Sequence, residues 1–218
     1  MQHYVRQLSL GPMENFIHLF GPAGGREAAV VDPAWDAEAI LAAARADGKE
    51  IVAAFVTHHH HDHVNALGPL LDALPAMRAF AQGAEIQAAQ ALRDFGPRLE
   101  AVAPGRRVSI GSLEVSCVHT PGHTPGSQCL HAAGSLFTGD TLFVGGCGRC
   151  DLAGGDPEAM FDSLHRVLGA LPGDTKVYPG HDYGDRPVSS LAHEAATNPY
   201  LQRKDLESFV AYRMRPRG

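Results

Sequence analysis

The densest chemistry in this 218-residue chain lies between Thr57 and Val64, where five imidazoles and one carboxylate fall within six consecutive residues. Only one register places an Asp four residues after a His with another His directly behind it. That register is His58-x-His60-x-Asp62-His63, with His59 and His61 as spacers. Residues two apart on an extended segment point to the same side. His58 and His60 can therefore face one metal ion, while Asp62 and His63, beyond the turn, can face a second point nearby. The run is internal and follows an apolar strand, which sets it apart from a terminal purification tag.

Zinc accepts His nitrogen and carboxylate oxygen, and catalytic zinc keeps a position open for water. Three later segments offer further ligands of these types. His123 sits in a turn, residues 120–126, whose Gly and Pro fix the backbone around one polar side chain. Asp140 ends the apolar run 136–140, and His181 ends the run 177–181 in the same manner. Each alone reads as a satisfied polar group at a strand end. In this order, and together with the first motif, they read as one ligand set.

Through residues 57–63, 120–126, 137–143 and 178–181, the chain resembles the metallo-β-lactamase-fold hydrolases. Within them it looks most like the glyoxalase II-like (hydroxyacylglutathione hydrolase-like) branch, above all over 137–149, with persulfide dioxygenases as near relatives. The resemblance implies a first metal held by His58, His60 and His123, and a second held by Asp62, His63 and His181. Asp140 would bridge the two, and Asp62 and Asp140 would be the catalytic carboxylates. It also implies an α/β fold, an αββα sandwich of two mixed β-sheets with helices on the outer faces. One domain is expected to span residues 1–218. Arg149, in the loop after Asp140, is a fixed cation that could hold a substrate carboxylate.

Two divalent cations outweigh Asp62, Asp140 and a bridging hydroxide, so the site stays cationic and favours an anionic tetrahedral intermediate. Water on such a metal is acidified to a pKa of roughly 7. The expected reaction is hydrolysis of a small thioester or ester with no covalent intermediate. The expected cofactors are two divalent ions, zinc first, with Fe2+ or Mn2+ also suited to the ligands. The alternative is a non-haem iron dioxygenase acting on glutathione persulfide, with His58, His123 and Asp140 as ligands. The sequence at 141–143 and Gly180 lean towards the hydrolase. The chain after His181 is shorter than the C-terminal region of classical glyoxalase II. Cys150-Asp151-Leu152 also stands where those enzymes place a tyrosine, so glutathione itself is left open. Arg213, Arg215 and Arg217 read as a solvated basic tail. Asn65-Ala66, in place of the family's glycine pair, is expected to alter helix packing rather than ligation.

A net charge of −6 argues against a broad basic surface for nucleic acid. No apolar run approaches the roughly 20 residues of a membrane span, and the first ten residues lack a signal-peptide pattern. The expectation is a cytoplasmic enzyme with a small-molecule substrate, its oligomeric state open. Cys117 and Cys129 read as core residues. Cys147 and Cys150 have CxxC spacing but no second pair to complete a four-Cys site.

The elements that must position these groups alternate along the chain. Residues 28–31 predict a strand ending at Asp32-Pro33, and 36–46 a helix stopping near Gly48. A buried strand over 51–56 feeds the His run. A helix over 65–74, a strand over 78–81 and a helix over 84–93 follow. Residues 107–118 predict a hairpin around Gly111-Ser112, and 128–131 with 136–138 a strand pair around Ala133-Gly134. Asp156-Pro157 opens an amphipathic helix with Met160, Phe161, Leu164, Val167, Leu168 and Leu171 on one face. A strand over 176–178 delivers His181, and helices are expected over 188–197 and 201–213.

Overall fold

The computed structural model describes residues 3–215, and its strands divide in chain order between two six-stranded sheets. The first holds β1 (His3–Leu10), β2 (Asn15–Pro22), β3 (Glu27–Val31), β4 (Glu50–Phe55), β5 (Arg78–Gln82) and β6 (Leu99–Val102), in that spatial order. β1 to β3 pair antiparallel and β3 to β6 parallel, so the sheet is mixed. The second runs β14-β13-β10-β9-β8-β7. It is built from β7 (Arg107–Ile110), β8 (Leu113–His119), β9 (Gln128–Ala132), β10 (Ser135–Gly139), β13 (Lys176–Pro179) and β14 (Ser189–Ser190). Its one parallel pair, β10 with β13, makes it mixed as well. A two-stranded ribbon, β11 (Leu142–Phe143) with β12 (Gly146–Cys147), stands apart from both sheets.

Three apolar layers hold the αββα sandwich together. Between the sheets, Phe20 packs on Phe137 at 4.6 Å and Phe55 stacks on Phe80 at 5.2 Å. Each such fully buried side chain stabilises the fold by about 1.5–3 kcal/mol. The outer face of the first sheet takes α1 (Ala37–Ala46), α2 (His61–Val64), α3 (Leu67–Ala73), α4 (Gly83–Ala88) and α5 (Gln90–Arg93). The outer face of the second takes α6 (Pro157–Asp162), α7 (Leu191–Thr197) and α8 (Leu206–Arg213). Asp36 caps α1 by accepting from the Ala39 N–H at 2.9 Å, and Asp156 caps α6 through the Glu158 and Ala159 N–H groups.

Several elements differ from the sequence expectation. The hairpin β1–β2 and the strand β6 were not anticipated; β1 is a half-buried edge strand without clean alternation. The helix expected over 84–93 breaks at Ala89, which is extended and buries its methyl group. The helix from Asp156 widens to π geometry over Ser163–Val167 and tightens over Leu168–Ala170, while keeping Met160, Leu164 and Leu168 buried. The last two helices start later than expected, at Leu191 and Leu206. No helix of the described residues is long and apolar enough to cross a membrane.

Candidate metal centre

Four strand ends meet at one edge of the sandwich. β4 runs into the His run, β8 into the turn bearing His123, β10 into Asp140 and β13 into His181. The turn at His123 needs Gly122: it holds φ +138°, and a Cβ there would lie 2.5 Å from the Met160 backbone. Ser163 tightens the same contact by donating to the Pro121 carbonyl at 2.7 Å. The amphipathic helix thus presses directly on the loop that carries His123.

The seven residues singled out from the sequence lie together in two clusters. His60 Nδ1 is 3.1 Å from His58 Nε2 and 3.0 Å from His123 Nε2. His63 Nε2 is 3.1 Å from His181 Nε2 and 3.4 Å from Asp62 Oδ2, and His181 Nε2 is 3.5 Å from that oxygen. Ligand atoms at zinc bond lengths of about 2.0–2.1 Å in a tetrahedron stand about 3.3 Å apart. Both clusters have that spacing, and each could hold an ion. Asp140 reaches both: Oδ1 is 3.3 Å from His63 Nε2 and 3.4 Å from His181 Nε2, while Oδ2 is 3.5 Å from His123 Nε2. Asp140 Oδ1 is buried and accepts no hydrogen bond. An orphaned carboxylate oxygen facing two imidazole nitrogens is what a cation would satisfy.

Protonation suits the first cluster to the same task. Burial, and then the neighbouring imidazoles, push His58 well below the usual histidine range. The same causes bring His60 down to about 4, so both present lone pairs at neutral pH. His63 behaves oppositely: burial lowers it, but Asp140, Asp32 and Asp62 outweigh that and raise it to about 9.

Buried partners that sequence reasoning missed orient the ligands. Asp32 accepts from His63 Nδ1 at 2.9 Å, from the Thr57 hydroxyl at 2.6 Å and from the Thr57 N–H at 2.6 Å. Thr57 Oγ1 in turn stands 3.1 Å from His58 Nδ1. Glu85, fully buried, accepts from the His59 N–H and ring, the Thr124 hydroxyl and the Gly126 N–H. It ties the His run to the His123 turn, so His59 is more than a spacer. Asn15 donates to Asp62 Oδ2 at 3.0 Å and accepts from the Trp35 indole at 2.7 Å. His123 and His181 donate through Nδ1 to the carbonyls of Arg149 and Met13, both at 2.8 Å. Asp32 had a visible signal: it ends a strand as Asp140 does. Asn65 accepts from the Trp35 N–H at 2.6 Å, in line with a packing role there.

A cavity of about 490 Å³ opens over the clusters, with His60, Asp62, His123, Asp140 and His181 at its base and Met13, Phe143, Tyr183 and Arg149 among its walls. Arg149 lines the cavity but also grips Asp151, at 2.9 and 3.0 Å. Cys147 lines the cavity too, while burial pushes the Cys150 thiol up to about 11. Among the described residues, no group able to hold a metal includes a cysteine. The basic tail differs from the solvated one expected. Arg213 is buried, donates to the Tyr200 hydroxyl at 3.1 Å and is no solvated side chain. Arg215 is exposed over the Tyr212 ring, and Arg217 lies outside the described residues.

Comparison with known proteins places the fold in a family. Residues 11–181 match the family described as the Metallo-beta-lactamase superfamily. The chain is 36% identical over 202 residues to "Probable polyketide biosynthesis zinc-dependent hydrolase PksB" of Bacillus subtilis (strain 168), covering 92% of this chain and 88% of that one. It is 41% identical over 172 residues to a hydroxyacylglutathione hydrolase of Tolumonas auensis, covering 78% of this chain and 62% of that one. The crystal structure of ETHE1 from Myxococcus xanthus superposes with a TM-score of 0.86 at 32% identity, over 98% of this chain and 92% of that one.

Proposed function

This chain belongs to the metallo-β-lactamase superfamily, and we propose that it is a dinuclear metal-dependent hydrolase of small thioesters or esters. The observation that carries this reading is Asp140, which turns one oxygen towards each histidine cluster and leaves Oδ1 without a hydrogen bond. His58, His60 and His123 would hold one ion, and Asp62, His63 and His181 the other, with Asp140 shared. Zinc is the first choice, and two such ions supply an acidified water and a polarised carbonyl.

The chain's own residues set the stage for that chemistry. Asp32 accepts the His63 Nδ1 proton, so Nε2 is the nitrogen turned to the cluster. The Arg149 and Met13 carbonyls do the same for His123 and His181. Asn15 holds one oxygen of Asp62 in place. Arg149 offers five N–H donors, of which Asp151 takes two, and the rest can meet a substrate carboxylate at the cavity wall.

The second reading, an iron dioxygenase acting on glutathione persulfide, uses His58, His123 and Asp140 alone. It gives His60 and the second cluster no ligand role, whereas the dinuclear reading uses both, and the count of bound metal separates the two. Elemental analysis of protein purified without added metal, followed by a thioester panel, tests the proposal. Close to two zinc ions per chain with thioester turnover supports it. Close to one iron, with oxygen uptake on glutathione persulfide, replaces it with the second reading.

A further inference from the structure

One wall of the cavity is the β11–β12 ribbon, through Phe143, Gly145, Gly146 and Cys147. The ribbon has little pairing of its own, only Leu142 with Cys147 and Phe143 with Gly146. Its turn puts Gly145 at φ +70°, a backbone state that favours glycine. Two-residue strands cannot fix a wall by themselves. The Thr138 hydroxyl holds the ribbon's first residue, donating to the Leu142 carbonyl at 2.6 Å, and the turn that follows is held by groups from α7 and the residue just beyond that helix.

Glu194 is fully buried; its Oε2 accepts from the Gly145 N–H at 2.9 Å and its Oε1 from the Ser189 hydroxyl at 2.5 Å. Asn198, one turn further and also fully buried, directs its side-chain N–H groups at three acceptors. These are the Gly146 carbonyl at 3.0 Å, the Phe143 carbonyl at 3.3 Å and Glu194 Oε2 at 2.9 Å. Its Oδ1 accepts from the Tyr200 N–H at 3.0 Å, and Tyr200 lines the same cavity. One buried amide therefore joins two lining segments that are far apart in sequence. Phe143 carries the position inward, with its ring edge-on to His181 at 5.8 Å.

We infer that Glu194 and Asn198 are positioning residues that hold the Phe143 wall and Tyr200 at a fixed separation, and so select the substrate by size. Neither is among the residues that could hold a metal, so the pair acts on binding rather than on the metal site. With Asn198 shortened, the Phe143 and Gly146 carbonyls and the Tyr200 N–H lose the amide that joins them, and the wall is free to move. The effect on substrate rests on the hydrolase reading; the effect on the wall does not.

The test compares Asn198→Ala, Asn198→Leu and Glu194→Ala with the natural chain. Asn198→Leu keeps side-chain volume without the amide's N–H groups and serves where an alanine variant folds poorly. Amide hydrogen exchange is expected to speed up by about tenfold or more in peptides over 142–148, and to stay unchanged over 57–64. Bound metal per chain is expected to stay the same. With S-lactoylglutathione as the probe, KM is expected to rise by about tenfold, equivalent to roughly 1.4 kcal/mol, with kcat within about twofold. Unchanged exchange over 142–148, or loss of metal together with kcat, would overturn the inference. Should the natural chain fail to turn over the probe, S-lactoylglutathione falls as its substrate and KM is read with the member of the thioester panel it does turn over. Failure on the whole panel ends the hydrolase reading, and the exchange pattern still decides whether the pair holds the wall.

Discussion

The base of the cavity and its rim are built on opposite plans. At the base, every histidine of the two clusters except His60 has its second ring nitrogen against a named partner: Thr57, Asp32, Arg149 or Met13. Asp32 and Glu85 are buried carboxylates that gather several donors each. At the rim, Met13 is 47% and Tyr183 53% exposed, and the Arg149 guanidinium spends two of its donors on an exposed aspartate. A rigid base under an adjustable rim separates two tasks. The base fixes atoms to within the tolerance that metal chemistry demands, and the rim can change its side chains without disturbing it. Substitutions at the base should therefore alter metal content and turnover, and substitutions at the rim should alter affinity.

The largest expected effect is at the carboxylate common to both clusters. Asp140→Ala is expected to lower kcat by on the order of 10³-fold or more and to reduce bound metal below two ions per chain. Steady-state kinetics with elemental analysis checks it, and substantial retained turnover would refute the bridging role. Next comes a residue that touches no substrate. Asp32→Ala strips His63 Nδ1 and the Thr57 hydroxyl of their acceptor, and outer partners of this kind are worth roughly 10–100-fold in metal affinity. Competition with a chelator measures that loss. A variant with unchanged metal affinity would break the contrast, because the base would then hold metal without its buried support.

The ligands were more legible in the sequence than the partners that orient them. A His, or an Asp after an apolar strand, announces itself locally, and the register of the His run follows from spacing alone. Glu85 does not, and Asp32 shows its place at a strand end but not the partners it will meet. Asp32 meets His63 because β3 lies beside β4, and Glu85 meets Thr124 because the two sheets face each other. Such pairings arise from tertiary packing that no local pattern encodes. The sandwich was foreseen through the resemblance, while Ala89 and the π-helical stretch show packing overriding a helical period. Arg213 follows the same rule: a basic residue near the end of the sequence reads as solvated, and only the packed chain sets its guanidinium over the Tyr200 ring.

The rim supplies a weaker test. Arg149→Ala is expected to raise KM severalfold for thioesters bearing a carboxylate, with little change in kcat and none in bound metal. A neutral ester should show no such increase. If KM stays constant for both substrates, Arg149 serves only Asp151 and, through its backbone carbonyl, His123, and the cavity wall must bind carboxylates by other means.

The finest discrimination lies inside the His run, between its two spacers. His59 gives both its N–H and its ring to buried Glu85, which in turn holds Thr124 and Gly126 beside His123. His61 is exposed, with its ring 6.4 Å from that of Trp35 and its Nδ1 only 3.5 Å from the Asn65 amide. His61→Ala should leave metal content, kcat and KM within error of the natural chain. His59→Ala should also retain its metal at saturation, because Glu85 keeps the His59 N–H and both donors from the His123 turn. It should, however, lose metal to a chelator a fewfold faster, an effect below that of Asp32→Ala. Equal behaviour of the two variants would mean that the His59 ring adds nothing to the hold Glu85 has through the His59 N–H, the Thr124 hydroxyl and the Gly126 N–H. An empty site in the His61 variant would mean that the register His58-x-His60-x-Asp62-His63 is wrong.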